Sequence, residues 1–589
     1  MRYGKSWIFC VCLSWSLFGL AEDAHEAPIP PLPPEQAIAK PESEAHDQTF
    51  TVINYDDSEE KPAVSRYFNA LEISGYFRTR FSYFRNAHLG TYIPELHRGT
   101  SNFAPNMSLL DGSTESNDNP TQSNYSANIR LRLDPTVNIS ETMRVRTTLD
   151  IFDSMVLGTT PSYLSNPSVP VSMMSMSQNS LANTIAVKRA WGEASFPVGE
   201  LRFGRMPMHW GLGIVYNSGD ATTSDYGDQV DGISFTTRLF EHYFTPAYAI
   251  AYTGPVGRGG GFKSATNFPD YYGPNELGQR YPLESSDITH VVSLSFLKRD
   301  SDFISSKKRA EGKSIFNYGL FASYRRQDLD SQNDGITVNL NTVNRLVKRD
   351  ANVGLSSLWS AWSYGTFHLE LELAGIWGKY QIGEKASDLL AVNNGDAPLT
   401  KRDIWLLQGG LALESRYGFL NDRLQIGLDS GWASSQDGPG FGIREGAADG
   451  RKLPSNDGYK TNFKFNPAYT VDLLMYKEIL SAVSGTFYLK PHIAYFFSRN
   501  FGVRGDIIGS VAPIKENTTG GSNFLGVELD ASSFIRTESG FYSSLAYGVL
   551  FPLQGLNHQK TADIDTQKMA LFGEAKVAQT INLYLGLVF

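Results

Sequence analysis

The sequence predicts an all-β fold: a transmembrane, antiparallel, up-and-down β-barrel. Three observations predict it. The chain opens on a short secretion signal and then has no apolar run long enough for a membrane helix. Apolar and polar residues alternate with period two from residue 71 to the last residue. The connections between the alternating segments are long and short in turn.

Residues 1–21 read as the signal peptide. Arg2 and Lys5 form its basic start, Ile8 to Leu20 its apolar core, and Gly19-Leu20-Ala21 its small-residue cleavage site. The core is shorter than the roughly 20 residues a spanning helix needs. Both cysteines, Cys10 and Cys12, fall inside this segment. The mature chain is therefore expected to hold no disulfide and no thiolate metal site.

Residues 22–66 carry eleven acidic and three basic side chains. They include the run Ala27-Pro-Ile-Pro-Pro-Leu-Pro-Pro34, which favours extended polyproline. This composition predicts a disordered Pro-rich acidic linker, with a contact to peptidoglycan as the sharper alternative. The acidity of the chain, −9 overall, belongs to this segment rather than to residues 67–589. No basic footprint of a nucleic-acid binder is present.

The barrel is expected over residues 67–589. In the first strand Ile73, Phe77, Phe81 and Tyr83 alternate with Glu72, Arg78, Arg80 and Ser82. Tyr125, Ile129, Leu131 and Leu133 alternate with Asn128, Arg130, Arg132 and Asp134; Met143, Val145 and Leu149 alternate with Arg144, Arg146 and Asp150. Successive side chains of a strand point to opposite faces, so one face meets lipid and the other a lumen. Charged residues are only 19 % of the chain, while Tyr 29, Phe 35 and Gly 54 are plentiful, which suits a lipid-facing sheet with tight bends. Long segments are expected at 85–123, 154–182, 254–287, 327–350, 381–402, 435–466 and 499–522, and short turns at 135–140 and 197–199. With both termini on one side the strand number is even, about 18, with 16 as the alternative.

Three strands carry a basic row on the inferred lumen face: Arg78, Arg80, Arg130, Arg132, Arg144 and Arg146. Later strands carry acids with the same parity: Glu370, Glu372, Asp429, Asp472 and Glu528. Walls of opposite sign would set a field across the lumen. The bland alternative is that these charges pair and brace the wall. Between strands five and six lies the most distinctive stretch, Gly204-Arg-Met-Pro-Met-His-Trp-Gly-Leu-Gly-Ile214, with Asp220 and Asp225-Tyr-Gly-Asp228 after it. Pro207 ends a ladder and Gly211 and Gly213 permit tight bends. The acids do not have the spacing of a calcium loop, so no metal and no cofactor are expected. No nucleophile–base constellation is apparent, so no enzymatic activity is expected.

These residues carry two resemblances. A strand ending in Gly-Arg before an acidic loop between strands five and six resembles the constriction loop of porins. That likeness implies that Asp220, Asp225 and Asp228 fold into the lumen opposite the arginine row. The motif with Asp-Tyr-Gly-Asp-x-Val-Asp is also similar to a family of uncharacterised porin-like barrels from deltaproteobacteria; the chain departs from it at Gly232, where that family usually carries arginine. Ile581, Leu583, Leu585, Leu587 and the final Phe589 resemble the terminal strand that the barrel-assembly machinery reads in outer-membrane proteins. The resemblances imply an outer-membrane channel, in contact with membrane lipid, for passive diffusion of small hydrophilic solutes. A structural or surface-recognition barrel with an occluded lumen, or a gated exporter, is the alternative.

Overall fold

The computed structural model describes residues 69–87, 89, 123–157, 185–252, 288–331, 346–382, 402–436, 459–557 and 574–589. The segments expected as signal peptide (1–21) and linker (22–66), and most of the expected long connections, lie outside the described residues. The described strands are β1 (Leu71–Arg85), β2 (Ser123–Asn138), β3 (Met143–Val156), β4 (Ile185–Phe196), β5 (Gly199–Pro207) and β6 (Gln229–Leu239). Next come β7 (His242–Tyr252), β8 (Ile288–Lys298), β9 (Ile315–Ser331), β10 (Leu346–Tyr364), β11 (Phe367–Ile382) and β12 (Arg402–Phe419). The series ends with β13 (Leu424–Ala433), β14 (Phe487–Phe496), β15 (Phe501–Val511), β16 (Phe524–Arg536), β17 (Phe541–Pro552) and β18 (Ala578–Val588).

Each strand pairs antiparallel with the next, and β18 pairs with β1, so 18 strands close into a barrel. The seam runs from Tyr76↔Val588 to Arg85↔Gln579. Phe589 extends it by one residue, with its N–H donating to Gly75 O at 3.0 Å and its carbonyl accepting from Gly75 N at 2.9 Å. Closure leaves no strand edge unpaired, the condition for a sheet inside a bilayer. A barrel of this strand number is wide enough to enclose an aqueous lumen. The eighteen-strand expectation holds.

The period-two pattern sorts as it should. On β1, Leu71, Ile73, Phe77 and Phe81 are exposed on the outer face, while Tyr76 and Arg78 are buried inside. The outer face also carries two aromatic levels. Phe196, Phe240, Phe316, Tyr364, Phe419, Phe497 and Phe541 lie exposed at the short-turn end; Tyr125, Tyr248, Tyr324, Trp377 and Trp405 lie exposed toward the other. On β9 eight residues separate Phe316 from Tyr324. That is about 26 Å of strand, and about 20 Å along the normal at a tilt near 40°. Such girdles flank the apolar band of outer-membrane barrels. The protein is an outer-membrane β-barrel, and its exposed apolar belt faces lipid.

Short turns cluster at one end: Ile139–Thr142, Pro197–Val198, Phe240–Glu241, Gly365–Thr366, Leu420–Arg423, Phe497–Asn500 and Thr537–Gly540. One connection at that end is longer and holds helix α1 (Asp302–Ala310), capped by Ser301 Oγ accepting from Ile304 N.

Two sequence expectations need correction. Residues 499–522 are not one long connection: the chain turns at 497–500 and runs as β15 to Val511. Gly502, Gly505 and Gly509 interrupt the apolar alternation of that strand and hide it. The connection expected at 435–466 does not end there either. After a two-residue strand, Tyr459–Lys460, the chain returns to the barrel ladder only at Phe487. Asp472 therefore lies on no strand and is not part of an acidic wall.

Candidate functional site in the lumen

Among the described residues two segments fold into the barrel, and the inward charges hold them there. The first comes directly after β5. Pro207 cannot donate to the ladder, so the strand stops and the chain leaves the wall. Gly211 and Gly213 adopt φ of +58° and +86°. At Gly211 a Cβ would lie 2.8 Å from Glu372 Oε2, so the backbone can approach that carboxylate only as glycine. Glu372, fully buried on β11, accepts from Gly213 N at 3.0 Å, Ile214 N at 3.3 Å and Ser357 Oγ at 3.1 Å. Trp210 packs on Phe321 at 5.4 Å, within a cluster that includes Met208, Leu355 and Trp359.

The segment then crosses to the arginine row. Asp225 accepts from Arg78 Nη2 at 2.7 Å and Arg80 Nη1 at 2.6 Å, with Arg130 Nη2 at 3.8 Å. Arg78 also donates to Thr222 O at 2.6 Å, and Arg130 to Ser224 O at 2.7 Å. Burial works against the charge of Asp225. Arg80 and Arg78 outweigh it and hold its carboxyl well below the usual carboxylate range. The acid does not face the arginines across open water; it is in contact with them. Arg78 is wholly buried, whereas Arg80 keeps 14 % of its side chain exposed and Asp225 29 %.

The other expected residues separate. Asp220 pairs with Arg189 Nη1 at 2.5 Å, a partner the sequence did not single out although it shares the inward parity of Trp191 and Glu193 on β4. Asp228 accepts from Asn217 N at 2.9 Å and from Asn466 Nδ2. Burial raises its carboxyl, an effect its amide donors only partly offset. Arg132 forms a two-pronged pair with Asp150, at 2.6 and 2.8 Å. Arg144 and Arg146 share Glu193, with Arg146 at 3.3 Å. On the far wall Glu370 accepts from Trp359 Nε1 at 2.7 Å, and Asp429 pairs with His492 at 3.4 Å and Arg504 at 3.8 Å. The wall charges thus brace strands and anchor segments rather than line open water.

The second inward segment spans 461–486. Glu528 of β16, fully buried, accepts from Leu473 N at 3.0 Å and from Leu474 N and Met475 N at 2.8 Å. Asp472 accepts from Tyr476 N and Lys477 N, fixing the π-turn Met475–Ile479. Phe463, Phe465, Leu474, Met475 and Val483 bury themselves against inward Ala412, Ala433, Ile508, Leu550 and Ala578 of the wall. Part of the lumen is therefore an apolar core, which the expectation of a polar interior did not include. Asn466 joins the two segments: its N–H donates to Ile214 O at 2.8 Å, and its side-chain amide to Val215 O at 3.1 Å as well as to Asp228. The sequence signal was the loss of period two after Lys460, with Asn466-Pro467 and Gly485 as turn residues.

No family model matches the chain, and no curated protein matches it. Solved structures do. OccK5 (OpdH) of Pseudomonas aeruginosa is 10% identical, with a TM-score of 0.40, over 88% of this chain and 98% of that one. OccAB2 of Acinetobacter baumannii gives the same figures. The trimer form of OmpT, an outer membrane protein of Vibrio cholerae, is 8% identical with a TM-score of 0.33, over 88% of this chain and 100% of that one. The fold assignment rests on the strand pairing itself. Pairing, girdles and inward segments define a porin-like outer-membrane barrel with two segments folded into its lumen.

Proposed function

We propose that the protein is a passive channel for small hydrophilic solutes, narrowed by the segment 208–228 where it lies on the arginine row. One observation carries this reading: charged side chains of both inward segments remain partly exposed beside the same stretch of wall. Asp225 and Arg80 lie on one side, and Lys477 and Glu478 of the π-turn on the other. Each of the latter two is electrostatically coupled to Arg80 and Asp225. Ionised groups sealed in an apolar plug would carry a large desolvation penalty, so partly exposed ones border a water path. Asp220, Asp225 and Asp228 fix the position of the narrowing loop, and the buried arginines hold it open as a rigid edge. No chemical step and no cofactor belong to the proposal. Assembly through the terminal strand by the barrel-assembly machinery, and contact of the linker with peptidoglycan, remain part of it.

A second reading, a structural barrel with an occluded lumen, is favoured by the apolar packing of residues 463–483 against the wall. Planar-bilayer recording of the refolded mature chain separates the two. Discrete, ohmic conductance steps are expected on insertion. Insertion without current would overturn the channel and leave the occluded barrel.

A further inference from the structure

The charges that the sequence offers as pore-lining are mostly in contact with carboxylates. Arg78, Arg80 and Arg130 converge on Asp225, Arg132 on Asp150, Arg144 and Arg146 on Glu193, and Arg189 on Asp220. A cation in contact with a carboxylate presents a weak dipole to a passing ion, not a unit charge. The seven arginines share these four carboxylates, a set that keeps a net positive charge, and charges of the inward segments that reach the water path without such a contact act on top of it.

The second inward segment carries two such charges. Lys477 and Glu478 sit side by side on the π-turn, and both are partly exposed. Among the described residues neither forms an ion pair. The Lys477 ammonium has Tyr584 Oη at 3.4 Å, a neutral phenol, as its hydrogen-bond partner. Tyr584 stands directly opposite Arg80 across the β1–β18 seam, so the lysine faces the part of the arginine row that is not fully buried. The Glu478 carboxylate has no hydrogen-bond donor among the described residues. The turn that carries them is fixed rather than floppy. Asp472 holds its N–H groups, Glu528 holds the three preceding ones, and Met475 and Tyr476 are buried beneath it. With the N–H groups of residues 473–477 held by carboxylates, the turn presents its consecutive side chains at a set position.

We infer that Lys477 and Glu478 are specificity-determining residues of the channel, adjacent unit charges of opposite sign on one turn that tune its preference between anions and cations. The inference rests on the channel reading. Lys477 attracts anions toward the Arg80 edge, and Glu478 attracts cations past it. Removing either leaves the other unopposed, so the two changes act in opposite directions. A unit charge about 10 Å from an ion path of water-like dielectric changes the local concentration of each ion sign about twofold, hence their ratio about fourfold. The effect shrinks in molar salt, where the screening length is about 3 Å.

The test is the reversal potential of the refolded full chain in a potassium chloride gradient. Lys477→Gln is expected to lower the chloride-to-potassium permeability ratio about fourfold, and Glu478→Gln to raise it by a similar factor. Lys477→Arg, which keeps the charge, should restore the wild-type ratio and so separates charge from a distorted turn. Unchanged ratios in both glutamine variants of a conducting barrel would overturn the assignment and leave the channel standing. A shift of the same sign in both, or in Lys477→Arg, would mean that the turn acts through its shape, and would also overturn it. A wild-type barrel that inserts and stays silent removes the channel reading and this inference with it.

Discussion

At the scale of single residues, Asp225 holds the inward loop to the barrel wall. Its carboxylate takes two short guanidinium contacts, from Arg78 and Arg80, and the carbonyls of Thr222 and Ser224 take further ones from Arg78 and Arg130. Truncating one member of such a cluster leaves buried charge without compensation, which costs more than the pair itself contributes. Asp225→Asn is therefore expected to loosen the loop and expose the charge of Arg78 and Arg80. In a bilayer this should read as noisier steps and a shift of the reversal potential toward anions. Unaltered noise and reversal potential would remove Asp225 from the narrowing. The pH dependence has a definite sign. A carboxyl held below its ordinary value contributes stability that is fully present above about pH 4 and is lost only as pH falls through the lower folded value. Asp225 itself should thus contribute no change in step size from pH 7 down to about pH 4, so a change in that range that persists in Asp225→Asn belongs to a raised carboxyl such as Asp228.

At the scale of elements, β18 has two jobs. Its inward Tyr584 and Asn582 are buried, and its outward Ile581 and Leu587 are exposed to lipid. Its backbone closes the cylinder on β1, and Phe589 supplies the last two hydrogen bonds through Gly75. Deleting Phe589 removes those bonds and the final aromatic of the strand. Each hydrogen bond is worth about 1 kcal/mol, too little by itself to unfold a barrel of this size. A strong loss of folded barrel in outer-membrane fractions would therefore mark a recognition role, as the terminal pattern implies. Normal amounts of inserted protein would reduce Phe589 to a seam residue. The two inward segments obey a different logic from the strands. Backbone N–H groups that leave the ladder must find acceptors, and Glu372 and Glu528 provide them from the wall.

At the scale of the whole molecule, the short turns gather at one end and the two chain-distal strands, β1 and β18, meet there. Bacterial barrels keep their short turns in the periplasm. Single cysteines probe this orientation, because the two natural cysteines, Cys10 and Cys12, lie within residues 1–21, the segment expected to be removed on secretion. Ser116→Cys should react with an impermeant maleimide on intact cells, whereas Ser140→Cys should react only after the outer membrane is opened. Labelling of Ser140→Cys alone on intact cells would reverse the orientation.

Local pattern was enough to specify the barrel. Period two is readable residue by residue along β1, β2, β3, β11 and β18, and it survives because one face must be apolar to meet lipid. Local pattern also marked where the chain leaves the ladder after β5, through Pro207, Gly211 and Gly213, while the inward turn of that segment was implied only by the porin resemblance. What the inward charges do emerges only in the folded chain. Arg78 and Asp225 are 147 residues apart, and Glu528 and Leu474 are 54 apart. An arginine with lumen parity reads the same whether it faces water or clamps a carboxylate. The same limit hid the segment 461–486, whose apolar residues look like strand or loop until the wall of Ala412, Ala433 and Ala578 is seen to leave room for them. Parity tells which side of a wall a side chain takes. What it meets there depends on which distant segment fills the lumen, and no local pattern records that.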